Sequence, residues 1–309
     1  MSCHPDLPSR ANYLLLIAFL TSIAVILRIL SSPLANVYQK KLAANGHHPL
    51  TINFRTYLLL AAVCLLPALG VQWMALPRAF WLYSVMAGIV GAVGNGFLVK
   101  ALQKGDLSVL GPVNSYKSVV GIVFGVFLLN EVPTIWGLLG VALIIYGSYF
   151  VLDTTAEGFS WQLLKRREIQ YRLWAMILTA VEAVFIKKII LASSATIAFI
   201  SWCWFGAFFS FFLLETNRRR AGEAAINRGR GDASRYVLLV MCIGIMQLTT
   251  NYVFDHMPVG YALSLFQLST LVSVLLGYRI FKEQDVRKKL IGSAIMIAGS
   301  VMIILLKER

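Results

Sequence analysis

Ten stretches of mostly apolar residues, nearly all close to 20 residues long or longer, follow one another along this 309-residue chain: 13–42, 51–70, 80–103, 107–129, 133–152, 171–191, 195–215, 236–255, 258–281 and 288–306. A helix rises about 1.5 Å per residue, so roughly 20 apolar residues cross the hydrocarbon core of a bilayer. In lipid the backbone must satisfy its own hydrogen bonds, and for runs of this length that means helix. The expected class is an all-α polytopic membrane protein with ten transmembrane helices. Composition agrees: 58% of residues are hydrophobic and 14% charged, where a soluble domain carries about 25% charge. The first run is long and holds Pro33, which predicts one kinked helix. Arg10, the apolar run from Tyr13 and small residues near Ser31 imitate a signal peptide. With nine more spans behind it, the segment reads as a first helix that also targets the chain.

The chain is also strongly basic, with 28 Lys and Arg against 14 Asp and Glu. A nucleic-acid binder would explain the charge and not the apolar excess, so no nucleic-acid partner is expected. Cys3, Cys64, Cys203 and Cys242 are scattered, without metal-type spacing. Sorted by connection, the basic residues separate. The connections between spans 1–2, 3–4, 5–6, 7–8 and 9–10 hold 17 of them, and the opposite side, termini included, holds 6. The positive-inside rule makes the first group cytoplasmic and puts both termini outside. The Arg-, Gly- and Ala-rich stretch 216–235 reads as a solvated cytoplasmic loop. Arg28, Arg55, Lys100, Lys117 and Arg279 fall deeper in the spans.

The two halves resemble each other. Ala35-Asn-Val-Tyr-Gln-Lys-Lys41 matches Glu182-Ala-Val-Phe-Ile-Lys-Lys188 at an offset of 147, and Gly125, Glu131, Gly140 and Gly147-Ser148 match Gly277, Glu283, Gly292 and Gly299-Ser300 at an offset of 152. A series of Gly and Glu at one fixed offset marks a repeat. This divides the chain into a first five-helix repeat over 1–152, a linker over 153–170 and a second repeat over 171–309. Five is odd, so the halves insert with opposite topology, an inverted-repeat architecture that transporters use with a site at the midplane.

Ten spans as five plus five, Pro49-Leu-Thr-Ile-Asn-Phe-Arg55 opening the second span, and Asn130-Glu131 followed by Gly140 and Gly147 resemble the drug/metabolite transporter superfamily, its EamA-type branch above all. The resemblance covers nearly the whole chain. It implies a central cavity among spans 1, 3, 4, 6, 8 and 9, a bacterial inner-membrane location, and an exporter of a small polar or anionic, amino-acid-like metabolite. Two features depart from the pattern: Ser31-Ser32-Pro33 stands where Trp-Gly-Ser is usual in span 1, and the relatives are drawn with cytoplasmic termini. Nucleotide-sugar, sugar-phosphate or lipid-linked-sugar transport is the alternative within carriers, and a membrane scaffold without flux is the alternative outside them.

All six Asp and all four His lie in tails or at span ends, and of eight Glu only Glu182 falls mid-span. No HExxH, buried Asp pair, GxSxG elbow or P-loop is present, so neither an enzyme nor a cofactor is expected. A charge at the bilayer centre costs about 2.5–3.5 kcal/mol, which makes Glu182 a candidate proton-coupling acid or a structural partner of a Lys. Lys117 is the candidate partner or anion anchor. Asn114, Lys117, Ser118, Gly121 and Gly125 form one helical stripe. Asn95 and Gln247 correspond under the offset of 152 and suit paired hydrogen bonds to a polar solute. Asn251 shares the stripe of Gln247, Tyr261 and Gln267 share one in span 9, and Asn36 and Tyr38 follow the Pro33 kink, with Gln39 beside them. These are the candidate substrate-binding residues.

Blander roles are expected elsewhere. Arg28 and Arg55 snorkel, and Lys40, Lys41, Lys187 and Lys188 mark span ends. Trp202, Trp204 and the phenylalanines of span 7 pack or face lipid. Glu131 and Glu283 cap the helices that follow them. Gly140, Gly147, Gly292 and Gly299 give spans 5 and 10 smooth faces for helix packing, in a homodimer among other settings. The expected partners are a small-molecule solute and membrane lipid.

Overall fold

The computed structural model describes residues 10–107, 110, 117–129, 134–152, 165–221, 232–284 and 286–305, and among these it is helical throughout apart from turns. The first half contains α1 (Arg10–Ala44), α2 (Pro49–Val63), the short α3 (Leu65–Ala68), α4 (Arg78–Lys104), α5 (Lys117–Leu129) and α6 (Ile135–Leu152). The second contains α7 (Arg167–Ala192), α8 (Ala195–Ala221), α9 (Ala233–His256), α10 (Val259–Phe266), α11 (Ser269–Phe281) and α12 (Val286–Leu305). The ends follow local chemistry. Pro49 opens α2 at the position where a missing N–H costs nothing, with His48 accepting the Leu50 N–H. α11 stops where Lys282 turns left-handed at φ 55°. Among the described residues five stretches are long and apolar enough to cross a membrane: Leu15–Ala44, Arg78–Lys104, Ala195–Arg219, Ala233–His256 and Val259–Phe281. Leu15, Phe19, Leu66, Phe127 and Leu191 are largely exposed, a surface that suits lipid rather than water.

Packing between the halves obeys an exchange. α4 lies along α7, and α1 lies along α9. Under the repeat these are one contact seen twice, the third span of one half against the first of the other. α6 packs on α12, its own equivalent, through glycines. A Cβ on Gly147 would fall 2.5 Å from the Gly292 carbonyl oxygen, and one on Gly299 would strike the carbonyl oxygen of Gly140. The repeat converts the first contact into the second, and the two helices therefore cross antiparallel, as a two-fold axis in the membrane plane requires. The expected smooth faces are consumed within one chain, which leaves this glycine face no part in a dimer.

Two ends of the bundle are tied differently. At one end Lys40 Nζ lies 3.2 Å from Glu283 Oε1, and the same oxygen accepts the Leu107 N–H at 2.9 Å. Nearby, Asn45, His47 and Arg235 all hold Asp232. The Asn45 hydrogen bond leads the causes that keep its carboxyl below the usual range. At the other end Asn251 donates to the Ala195 carbonyl and the Thr134 N–H to the Tyr261 hydroxyl. Glu283 thus satisfies an amide in the 3–4 connection, a correction to its expected role as a cap of the next helix. Glu131, its repeat counterpart, lies outside the described residues.

Two apolar runs that read as continuous are broken. The second divides at Cys64, and the ninth divides between Phe266 and Ser269. At the second break Gln267 Nε2 donates to the Leu263 carbonyl at 3.0 Å, meeting an acceptor that an uninterrupted ladder would have used.

Candidate functional site

A cavity of about 980 Å³, its mouth included, lies between the halves. Each helix contributes by its own period. On α1 the lining residues Arg28, Ser32, Ala35, Asn36 and Gln39 fall at i, i+4, i+7, i+8 and i+11, one stripe of a helix. On α7 the stripe is Arg172, Ala175, Thr179, Glu182 and Ile186. α2 adds Asn53, Thr56 and Tyr57, α4 adds Asn95, α5 adds Lys117, α8 adds Trp202, and α9 adds Gln247 and Thr250. Both halves therefore line one chamber.

Glu182 is buried and its carboxylate is fixed from two sides. Trp202 Nε1 donates to Oε1 at 2.7 Å. On the other side it lies against the bare backbone of Gly91, where an added Cβ would strike Oε1 and lie 2.8 Å from the carboxyl carbon. The wall continues through Tyr57, whose ring packs on Trp202 with centroids 4.7 Å apart, to Asn95, whose Nδ2 donates to the Tyr57 hydroxyl at 2.6 Å. Four helices thus present a row joined by two hydrogen bonds and one ring contact, in which the indole N–H lowers the cost of a carboxylate out of water.

The other charges around the cavity are positive. Arg28 Nε donates to Thr250 Oγ1 at 2.7 Å and its guanidinium sits 4.8 Å above the Phe266 ring. Its Nη1 is buried without a hydrogen-bond partner. Arg172 is buried, with Nε donating to the Leu110 carbonyl at 2.9 Å. Lys117 borders the same space. Among the described residues no ion pair within 4.0 Å joins any of these to Glu182; its hydrogen-bond donor is the Trp202 indole, and Lys117 acts on it by charge at longer range.

Of the residues singled out in the sequence, Asn36, Asn95, Lys117, Glu182 and Gln247 line the cavity. Asn251 does not. It is fully buried, accepts from Gln247 Nε2 at 2.9 Å and donates to Ala195, so it positions Gln247 and ties α9 to the start of α8. Tyr261 packs into the hollow of Gly137 and holds Thr134. Gln267 serves the helix break, and Tyr38 packs against the main apolar core. Asn114 lies outside the described residues.

Arg28 and Arg172 correct the sequence reading, and Trp202 extends it. Arg28 turns inward instead of snorkelling, and Arg172 belongs to the cavity rather than to a connection. Trp202 takes the packing role of the two expected for it and adds a hydrogen bond to Glu182, while Phe208, Phe211 and Phe212 of the same helix are exposed. Lys187 is buried and donates to the Phe254 carbonyl instead of marking a free span end. Helical spacing held the signal for the arginines, since Arg28 lies on the Asn36 stripe and Arg172 on the Glu182 stripe. Nothing in sequence separates Trp202 from Trp204.

A helical multi-pass bundle of two equivalent halves around one polar, charged chamber is the architecture of a membrane transport protein. The EamA-like transporter family model matches this chain twice, over residues 15–153 and 167–305. The chain belongs to the EamA-like transporter family, within the drug/metabolite transporter superfamily. Among 26 solved chains that match, one described as "Crystal structure of protein" superposes with a TM-score of 0.70 at 17% identity, covering 94% of this chain and 98% of that one. That likeness concerns the fold. A search of curated proteins finds no match.

Proposed function

We propose that the protein is a secondary transporter of ten transmembrane helices, two inverted five-helix halves, in a bacterial inner membrane. It moves a small polar or anionic metabolite, in the export direction by family analogy, by alternating exposure of the central cavity. The observation that carries this reading is the cavity itself: polar and charged side chains of both halves converge on one chamber, so rocking one half against the other would expose it to either side. Glu182 is the proposed proton-coupling acid, because it is the carboxylate that lines that chamber among the described residues and its indole donor engages Oε1 rather than Oε2. Protein in proteoliposomes should exchange at least one solute of a broad metabolite panel. Glu182→Gln should abolish proton-driven accumulation of that solute. A variant that keeps both accumulation and its pH dependence would remove Glu182 from coupling.

A further inference from the structure

We infer that the cavity selects solutes whose head carries two negative charges, a phosphomonoester or a dicarboxylate, over zwitterions and neutral solutes. The inference rests on the transporter reading and narrows its substrate. Among the described residues, Arg28, Lys117 and Arg172 border the chamber from three helices of both halves, against one carboxylate, Glu182. Two positive charges are left over. A zwitterion brings no net charge to balance them, whereas a dianion does. Protonation of Glu182 only widens the surplus, so the sign of the selection does not depend on its state. In a space walled by protein each charge acts through less water and counts for more.

The arginines are also held in a way that suits a ligand. Each spends its Nε on a protein oxygen, Thr250 for Arg28 and the Leu110 carbonyl for Arg172. That fixes the plane of the fork and leaves the terminal nitrogens as the edge a planar or tetrahedral oxyanion would meet. Arg28 Nη1 is buried and, among the described residues, has no hydrogen-bond partner. A guanidinium does not shed its proton to escape this, and an anion entering the cavity would supply an acceptor. Beside it, Phe254, Leu263 and Phe266 give an apolar wall for the uncharged body of the solute.

The test uses full-length protein, by counterflow in proteoliposomes and by thermal shift in detergent, with inorganic phosphate, glycerol 3-phosphate, succinate, alanine and glucose as probes. Dianions are expected to exchange at least tenfold faster than alanine or glucose and to raise Tm. The phosphate and succinate arms separate the two kinds of dianion, and activity in either supports the inference. Arg28→Gln and Lys117→Gln should each cut dianion exchange at least tenfold and abolish the shift, in protein that still elutes as a single species. Arg28→Lys, which keeps the charge, should retain the preference and guards against a variant that does not fold. Exchange of alanine or glucose with inert dianions would overturn the inference and leave transport standing. A dianion-induced shift without any exchange would uphold the charge selection and overturn transport, and neither exchange nor shift with any dianion would overturn the selection.

Discussion

Gly91 shows how much one missing side chain carries here. Glu182 lies on its backbone, and Trp202 grips the carboxylate from the other side. Gly91→Ala puts a methyl group where the carboxylate oxygen now is, between α4 and α7, which pack along each other. Either the Trp202 hydrogen bond or the helix spacing must give. Overpacking of this kind costs about 1–3 kcal/mol, so a fall in Tm is expected, together with a changed pH dependence of transport. Gly70→Ala, whose nearest neighbour would be 3.9 Å away, should leave both unchanged. Equal Tm and pH profiles for the two variants would contradict the seat assigned to Glu182.

At the scale of elements, the contacts that join α1, the 3–4 connection and the turn after α11 meet on Glu283. Its Oε1 receives Lys40 and the Leu107 N–H together, and its side chain is 6% exposed. Removing one partner of a buried pair costs about 3–5 kcal/mol because the other charge is stranded. Glu283→Ala should lose stability on that scale. Glu283→Gln should lose less, since the amide oxygen still accepts the Leu107 N–H. Thermal unfolding of both, with Lys40→Ala to complete a double-mutant cycle, measures the coupling, and additive effects would show that Lys40 and Glu283 act separately. The repeat offsets place Lys187, Glu131 and Val259 at the equivalent positions of the other half.

For the whole molecule, orientation is set by charge and fold together. Arg172, Lys187 and Lys289 are buried and no longer belong in the count of connection charges, which changes 17 against 6 to 15 against 5 and keeps the bias. The positive-inside rule then predicts that the end holding Asp232 faces the cytoplasm. Ser234→Cys lies at that end and Met74→Cys at the other, and both parent residues are exposed. With Cys3 and Cys242 replaced by Ser, and Cys64 and Cys203 left buried, an impermeant maleimide on intact cells should label Met74→Cys and spare Ser234→Cys. The reverse pattern would invert the orientation.

The amino-acid sequence alone determines the class, the repeat and the neighbourhood of the site. Hydrophobic run length follows from bilayer thickness, and Asn95 and Gln247 could be paired by offset because the two halves keep one residue spacing. What it leaves open is helix phase and long-range partnership. Asn36 and Asn251 look alike as polar residues on apolar helices, yet one borders the cavity and the other braces Gln247. Arg28 reads as a snorkelling side chain until Thr250, 222 positions away, accepts its Nε. Which face of each helix turns inward depends on the neighbours packed against it, through contacts such as Gly91 on Glu182 and Gly147 on Gly292. Those contacts join distant parts of the chain, so the charge balance of the cavity appears only when the two halves meet.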